Sequence, residues 1–270
     1  MNKDVKNYVA LKKEELKKRI GENDVRLFVI QVGDNPASNS YIKGKKKDCE
    51  EVGIKVEHIR FVEDVCTDTI TDWIHRLNHS GSVHGIIVQL PLPPHIDVKE
   101  VQLAINPSKD VDGFHPMSHF KPCTPMGVIN YLKANDYKFE SKNALVLGRS
   151  EIVGKPLAEL LTDLNCTVTL AHSKTLGIRK YMQESHVVFT AINKIEWYDV
   201  SFADYLRYAD CVIDIGLGVS PYDNKLHGNL SEKCVERLKH LKVPVLSGTG
   251  GVGLLTRLQL LENTVQASGL

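Results

Sequence analysis

The sequence predicts an α/β fold, two α/β lobes around a cleft, with mostly parallel strands. Helical and apolar-strand patterns alternate along the whole length, as they do where strands are joined by helical crossovers. The 270 residues, 42% of them hydrophobic, also suffice for one large or two modest cores.

The opening twenty residues, MNKDVKNYVALKKEELKKRI, are charged and amphipathic and read as a helix. They hold no continuous apolar stretch and so do not read as a secretory signal. VRLFVIQVG is nearly all apolar and predicts a buried strand. A helix follows from Ala37 to Val52, then IKVEHIRFV alternates as a strand. TDTITDWIHRLN is helical, with Thr67 or Asp68 as its N-cap. VHGIIVQLPLPP is a strand that ends at prolines, which cannot continue a ladder. INPSKDVDGFHP has turn chemistry throughout.

A second unit begins near Thr124. NALVLGRS is a strand running into a turn, and VGKPLAELLTDL is a helix. CTVTLAHS, HVVFTAI, CVIDIGL and VPVLSG are further strands, so the series reads as a Rossmann-type nucleotide-binding domain. The tail LTRLQLLENTVQASGL is helical. The expected lobes are 1–123 plus 255–270, and 124–254.

A formal net charge of +1 argues against a general binder of nucleic acid or membrane surface. No apolar run approaches the roughly 20 residues that span a bilayer. The six cysteines are scattered, with no C-x-x-C, which suits reduced thiols in a cytoplasmic protein. His75 and His79 sit one helical turn apart but lack a third ligand nearby, and His115 and His119 flank Pro116. No metal is expected. Serine-hydrolase and P-loop motifs are absent.

SYIKGKKKDCEEVGI packs Lys43, Lys45, Lys46 and Lys47 into five positions. On a helix, Ala37, Tyr41, Ile42, Cys49 and Val52 fall on one arc of about 140°, with Lys45 near its middle. The other three lysines fall on the opposite side. Tyr41 lies one turn before Lys45, so the two are neighbours. Lys45 either snorkels along the helix flank or sits in a desolvated cleft where an ammonium can exchange protons. Gln89, at the carboxyl end of a buried strand, is placed where open α/β sheets line ligand clefts, or is satisfied by loop backbone. Asp110 and Asp112 precede Gly113 in a turn, where aspartate is also common for structural reasons.

LVLGRSEIVGKP keeps a turn glycine, Gly148, and a second glycine, Gly154, entering the helix, without being a G-x-G-x-x-G fingerprint. After the next strand, where NAD enzymes usually carry an acidic residue, this chain reads AHSKT. His172, Ser173 and Lys174, with Arg149 in the first turn, suit a 2′-phosphate, favouring NADP over NAD. Surface arginine and serine explain these positions equally well if no nucleotide binds.

VGDNPASNSYIKGKKKDCEEVGI, GIIVQLPLPPHI, NPSKDVDGFHP, PCTPMGV, LVLGRSEIVGKPLAELL, CTVTLAHSKT and LLENTVQAS, in this order over nearly the whole chain, resemble the bifunctional methylenetetrahydrofolate dehydrogenase/cyclohydrolase family. The resemblance implies NADP-dependent oxidation of methylenetetrahydrofolate and hydrolysis of the product to formyltetrahydrofolate. It places Tyr41, Lys45, Gln89 and Asp112 in the folate site, with Lys45 as general acid/base, and adds Leu90, Gly250 and Gly251 to the substrate contacts. It assigns Gly148, Arg149, Ser150, Gly154, Ser173 and Gly216 to NADP. It also implies a homodimer through the nucleotide-binding domain and a C-terminal helix packed back on the first lobe.

The chain departs from the family in three places. The segment LSGTGGVGLLT lacks the family's prolines, with Thr249 and Leu254 at two of their positions; Asn193 stands where a glycine is usual; and the family's G-D-V is Gly228, Asn229, Leu230. These changes fall on the cofactor side, so an impaired activity would be the dehydrogenase first. A family member that is mainly a cyclohydrolase, a folate- or nucleotide-binding protein without turnover, and an NADP dehydrogenase acting on an amino or hydroxy acid are the alternatives.

Overall fold

A computed structural model describes residues 4–223 and 225–270. The chain forms two compact units, one of residues 7–123 and 257–270, the other of residues 4–6 and 124–256. Through residue 104 the elements are α1 (Val5–Ile20), β1 (Arg26–Val32), α2 (Pro36–Val52), β2 (Lys55–Phe61), α3 (Thr67–His79), β3 (Gly85–Val88) and α4 (Val98–Ala104). Next come α5 (Cys123–Ala134), β4 (Asn143–Leu147), α6 (Gly154–Asp163), β5 (Thr167–Ala171), α7 (Ile178–Glu184) and β6 (Val187–Thr190). The chain continues with α8 (Val200–Tyr205), β7 (Cys211–Asp214), β8 (Leu217–Val219), β9 (Leu226–Gly228), α9 (Glu232–His240), β10 (Val245–Leu246) and α10 (Gly253–Ala267).

In the first unit β1 lies between β2 and β3, all parallel. The middle strand is buried at five of its seven residues, as expected where both faces are covered. α3 and α4 pack Ile70, Ile74, Leu77, Val101 and Ile105 against Ile30, Val32, Ile86 and Val88. α2 starts where Asn35 Oδ1 accepts from the Ala37 and Ser38 N–H groups ahead of Pro36, and it ends at Gly53 in the left-handed region. The same helix is tied to α1 and α10 by Asp48, which pairs with Lys13 Nζ at 2.6 Å and with Arg257 Nε. Removing that charge takes the carboxylate from the half-buried Arg257 and leaves Lys13 only Glu51, at 2.6 Å. Asp48→Asn is therefore expected to lower stability by about 2 kcal/mol, read as the midpoint of urea unfolding.

The second unit has five parallel strands in the order β10-β7-β6-β4-β5. The order reverses at β4, between β5 on one side and β6 on the other. Such a switch point opens a crevice at the carboxyl ends of the strands, where open α/β sheets take ligands. Leu145, Leu147, Val188 and Val212 build the core with Phe202, Leu206, Cys234 and Leu238.

Several expectations need correction. Cys66, not Thr67 or Asp68, is the α3 N-cap, and it makes no capping bond. The Thr67 hydroxyl is taken by the Asp97 N–H at 3.2 Å instead. The strand before the Pro91 region is only Gly85–Val88, shorter than the apolar run suggested. Ala37 is exposed, so the buried face of α2 begins at Ser38. The helices α4, α5, α7, α8 and α9 and the β8–β9 hairpin were given no range by the sequence.

Candidate active site

Three elements of the first unit bring polar groups together. Lys45 projects from the buried face of α2 and is 5% exposed, whereas Lys43 and Lys47 face water. Gln89 follows β3, where the Gln89 N–H still bonds the Ile30 carbonyl. Asp112 sits in the turn after Asp110. Lys45 Nζ donates to Gln89 Oε1 at 3.4 Å and lies 4.0 Å from Asp112 Oδ2. It also lies 4.9 Å from the centre of the Tyr41 ring, one helical turn back. Gln89 is oriented by its own amide, which donates to the Leu90 carbonyl at 2.7 Å.

The two aspartates of the turn have different work. Asp110 is buried, and its carboxylate accepts from the His115 N–H at 2.8 Å, closing the turn. Burial pushes its carboxyl up. Asp112 is left to face Lys45. Gly113 between them and the next segment has φ +77°, and a Cβ there would sit 2.6 Å from the Lys121 carbonyl carbon, so only glycine fits. Burial, then the Asp112 charge, pushes the Tyr41 phenol up, which keeps it neutral and able to donate.

Sequence reasoning missed the supports of this cluster. Asn263 of α10 donates to the Val111 carbonyl at 2.8 Å, holding the turn that carries Asp112. Buried Cys123 donates its thiol to the same carbonyl at 3.3 Å, and burial holds that thiol protonated. Asn263 lies within LLENTVQAS, a quoted stretch, but nothing local marks an asparagine as a partner of a turn some 150 positions away.

In the second unit the cofactor-type turn follows β4 at the switch point. Gly148 has φ +125°, and a Cβ there would lie 2.2 Å from the Ala191 carbonyl oxygen. A Cβ on Gly154 would lie 2.2 Å from the Gly148 oxygen. Two glycines thus let the backbone fold tightly against itself before α6 begins. The Val153 N-cap of α6 makes no side-chain bond, and the Lys155 N–H is taken by the Ser150 carbonyl at 3.1 Å. Ser150 Oγ accepts from the Gly154 N–H at 3.2 Å. Arg149, Ser150, Ser173 and Lys174 are all exposed. After β5, His172 and Thr175 hold the tight turn that presents Ser173, with the His172 N–H donating to Thr175 Oγ1 at 2.9 Å. A narrow glycine cradle with an exposed arginine and serines fits a dinucleotide carrying a 2′-phosphate. Gly216 follows β7, where its N–H bonds the Thr190 carbonyl at 3.0 Å. Gly250, with φ +78°, and buried Gly251 also belong to the second unit, in a wide helical turn over Gly248–Val252 that is broken at Thr249 and Gly250.

Comparison with known proteins agrees over the whole length. Residues 1–112 match the family described as tetrahydrofolate dehydrogenase/cyclohydrolase, catalytic domain, and residues 122–269 match its NAD(P)-binding domain. The bifunctional protein FolD of Streptococcus uberis is 40% identical, covering 98% of this chain and 93% of that protein. The crystal structure of the bifunctional enzyme FolD from Campylobacter jejuni superposes with a TM-score of 0.90 at 36% identity, covering 98% of this chain and 97% of the other. The Trypanosoma brucei methylenetetrahydrofolate dehydrogenase-cyclohydrolase, solved with NADP cofactor and inhibitor, superposes with a TM-score of 0.89 at 26% identity, covering 100% and 97%.

Proposed function

Because the chain belongs to the tetrahydrofolate dehydrogenase/cyclohydrolase family, we propose that its two polar clusters divide the work of a bifunctional enzyme. The reactions are NADP-dependent oxidation of 5,10-methylenetetrahydrofolate to 5,10-methenyltetrahydrofolate, and hydrolysis of the latter to 10-formyltetrahydrofolate. The observation that carries the assignment of residues is the convergence of Lys45, Gln89, Asp112 and Tyr41 in one place.

Hydrolysis adds water to the methenyl carbon, breaks one carbon–nitrogen bond and moves a proton to the departing nitrogen. Lys45 Nζ is the group that shuttles this proton, and the Gln89 carbonyl oxygen fixes its position. Asp112 accepts from the amino and ring N–H groups of the pterin, and the Tyr41 ring positions the substrate. Bound NADP supplies the hydride acceptor for the oxidation. Arg149, Ser150 and Ser173 hold its 2′-phosphate, and Gly148, Gly154 and Gly216 let the backbone approach it. Leu90 adds a substrate contact within the first unit. The chain works as a homodimer joined through its nucleotide-binding domain, in the cytoplasm; sedimentation of the purified protein tests the dimer.

The test supplies methylene- and methenyltetrahydrofolate separately, with NADP and then NAD. Turnover of both substrates, with NADP preferred, is expected; tight folate binding without product from either would overturn the reading. The neutral phenol carries a second expectation. Tyr41→Phe should leave the shape of the hydrolysis pH profile unchanged up to about pH 9, because a raised phenol does not ionise in that range. A basic limb lost with the hydroxyl would show that Tyr41 titrates during turnover.

A further inference from the structure

Asn229 has no role so far, yet the ends of β6 and β7 are assembled around it. It is fully buried, and its side chain is committed entirely to backbone. Oδ1 accepts from the Ile192 N–H at 3.1 Å. Nδ2 donates to the Ile192 carbonyl at 2.9 Å and to the Lys194 carbonyl at 2.5 Å. Its own N–H donates to Asp214 Oδ1 at 2.9 Å, and the same oxygen accepts from Thr190 Oγ1 at 2.7 Å. One buried amide and one buried carboxylate thus pin the segment leaving β6 to the end of β7.

That segment touches the glycines of the cofactor cradle. The Ala191 N–H bonds the Leu147 carbonyl at 2.8 Å, and the Ala191 carbonyl oxygen fills the space where a Gly148 side chain would begin. On the other side, a Cβ on Gly216 would lie 2.2 Å from Asn229 Oδ1. The side chain of Asn229 is therefore packed under Gly216 and linked through Ile192 and Ala191 to Gly148.

We propose that Asn229 is a positioning residue for the NADP site, holding residues 191–194 against the cradle through both ends of its amide; this rests on the NADP reading above. The family pattern has aspartate here. A carboxylate can accept from the Ile192 N–H but has no donor for the two carbonyls that meet Nδ2. In this chain the amide answers both needs.

The test uses the full chain with Asn229→Asp, which keeps the volume and the acceptor, and Asn229→Ala, which removes both ends of the amide. NADP dissociation constants are measured by titration calorimetry. Hydrolysis of methenyltetrahydrofolate without cofactor is measured alongside. Both substitutions are expected to weaken NADP binding about tenfold or more, with the NADP KM rising in step. Hydrolysis should stay within about twofold of the unsubstituted chain. An Asn229→Asp protein that binds NADP within about twofold of the parent overturns the proposal, as does a parallel fall in hydrolysis. Turnover of both substrates by the unsubstituted chain tests the underlying reading separately.

Discussion

Lys45→Met is expected to slow hydrolysis of the methenyl bridge about a thousandfold, the scale of a lost general acid/base. Methionine has nearly the length of lysine and suits a position only 5% exposed, so the fold should persist. Tyr41, Gln89 and Asp112 remain to hold the folate, so substrate binding should change little. The comparison variant is Lys45→Arg. It keeps the positive charge beside Asp112 but cannot give up its proton near neutral pH. If charge alone were needed, arginine would restore hydrolysis; proton transfer predicts that it does not. Hydrolysis at the normal rate in Lys45→Met would remove Lys45 from the mechanism. Stopped-flow absorbance of the methenyl chromophore, with a folate titration of the same samples, reads both quantities.

Gly154→Ala is expected to remove most NADP affinity, on the order of a hundredfold, while cofactor-free hydrolysis continues. The added carbon would lie 2.2 Å from the Gly148 oxygen and 2.9 Å from the Arg149 Cα. All of these neighbours are backbone, so the turn itself must open, at about 1–3 kcal/mol. The phosphate cradle is that turn, and widening it moves Arg149 and Ser150 away from a common anion. Gly177→Ala is the control. Gly177 has φ +64° but open space around it, so alanine there should cost about 1 kcal/mol of stability and leave NADP binding unchanged. Equal loss of NADP affinity in both variants would mean that general destabilisation, not the cradle, is responsible.

The inward direction of Lys45 was legible because one helix carries both the charge and its apolar neighbours, and a 3.6-residue period needs no outside information. The same reasoning misplaced Ala37, since a period locates a face but not the residue at which the helix meets its sheet. Asp110 and Asp112 could not be told apart in the sequence. Their difference lies in which carboxylate finds the His115 N–H and which is left facing Lys45. Nothing in the sequence singles out Asp48, yet it pairs with Arg257, 209 positions on.

By itself the sequence determined the alternation of strands with helices, the buried side of α2 and the turns rich in glycine, because each depends on neighbours within a few residues. The seven family-like stretches also carried the chemistry. Only the tertiary structure decided the reversal of strand order at β4, the roles of the two aspartates, and the supports at Asn263, Arg257 and Asn229. Those depend on hydrogen bonds between residues far apart along the chain, and a buried polar group takes whatever partner folding brings to it.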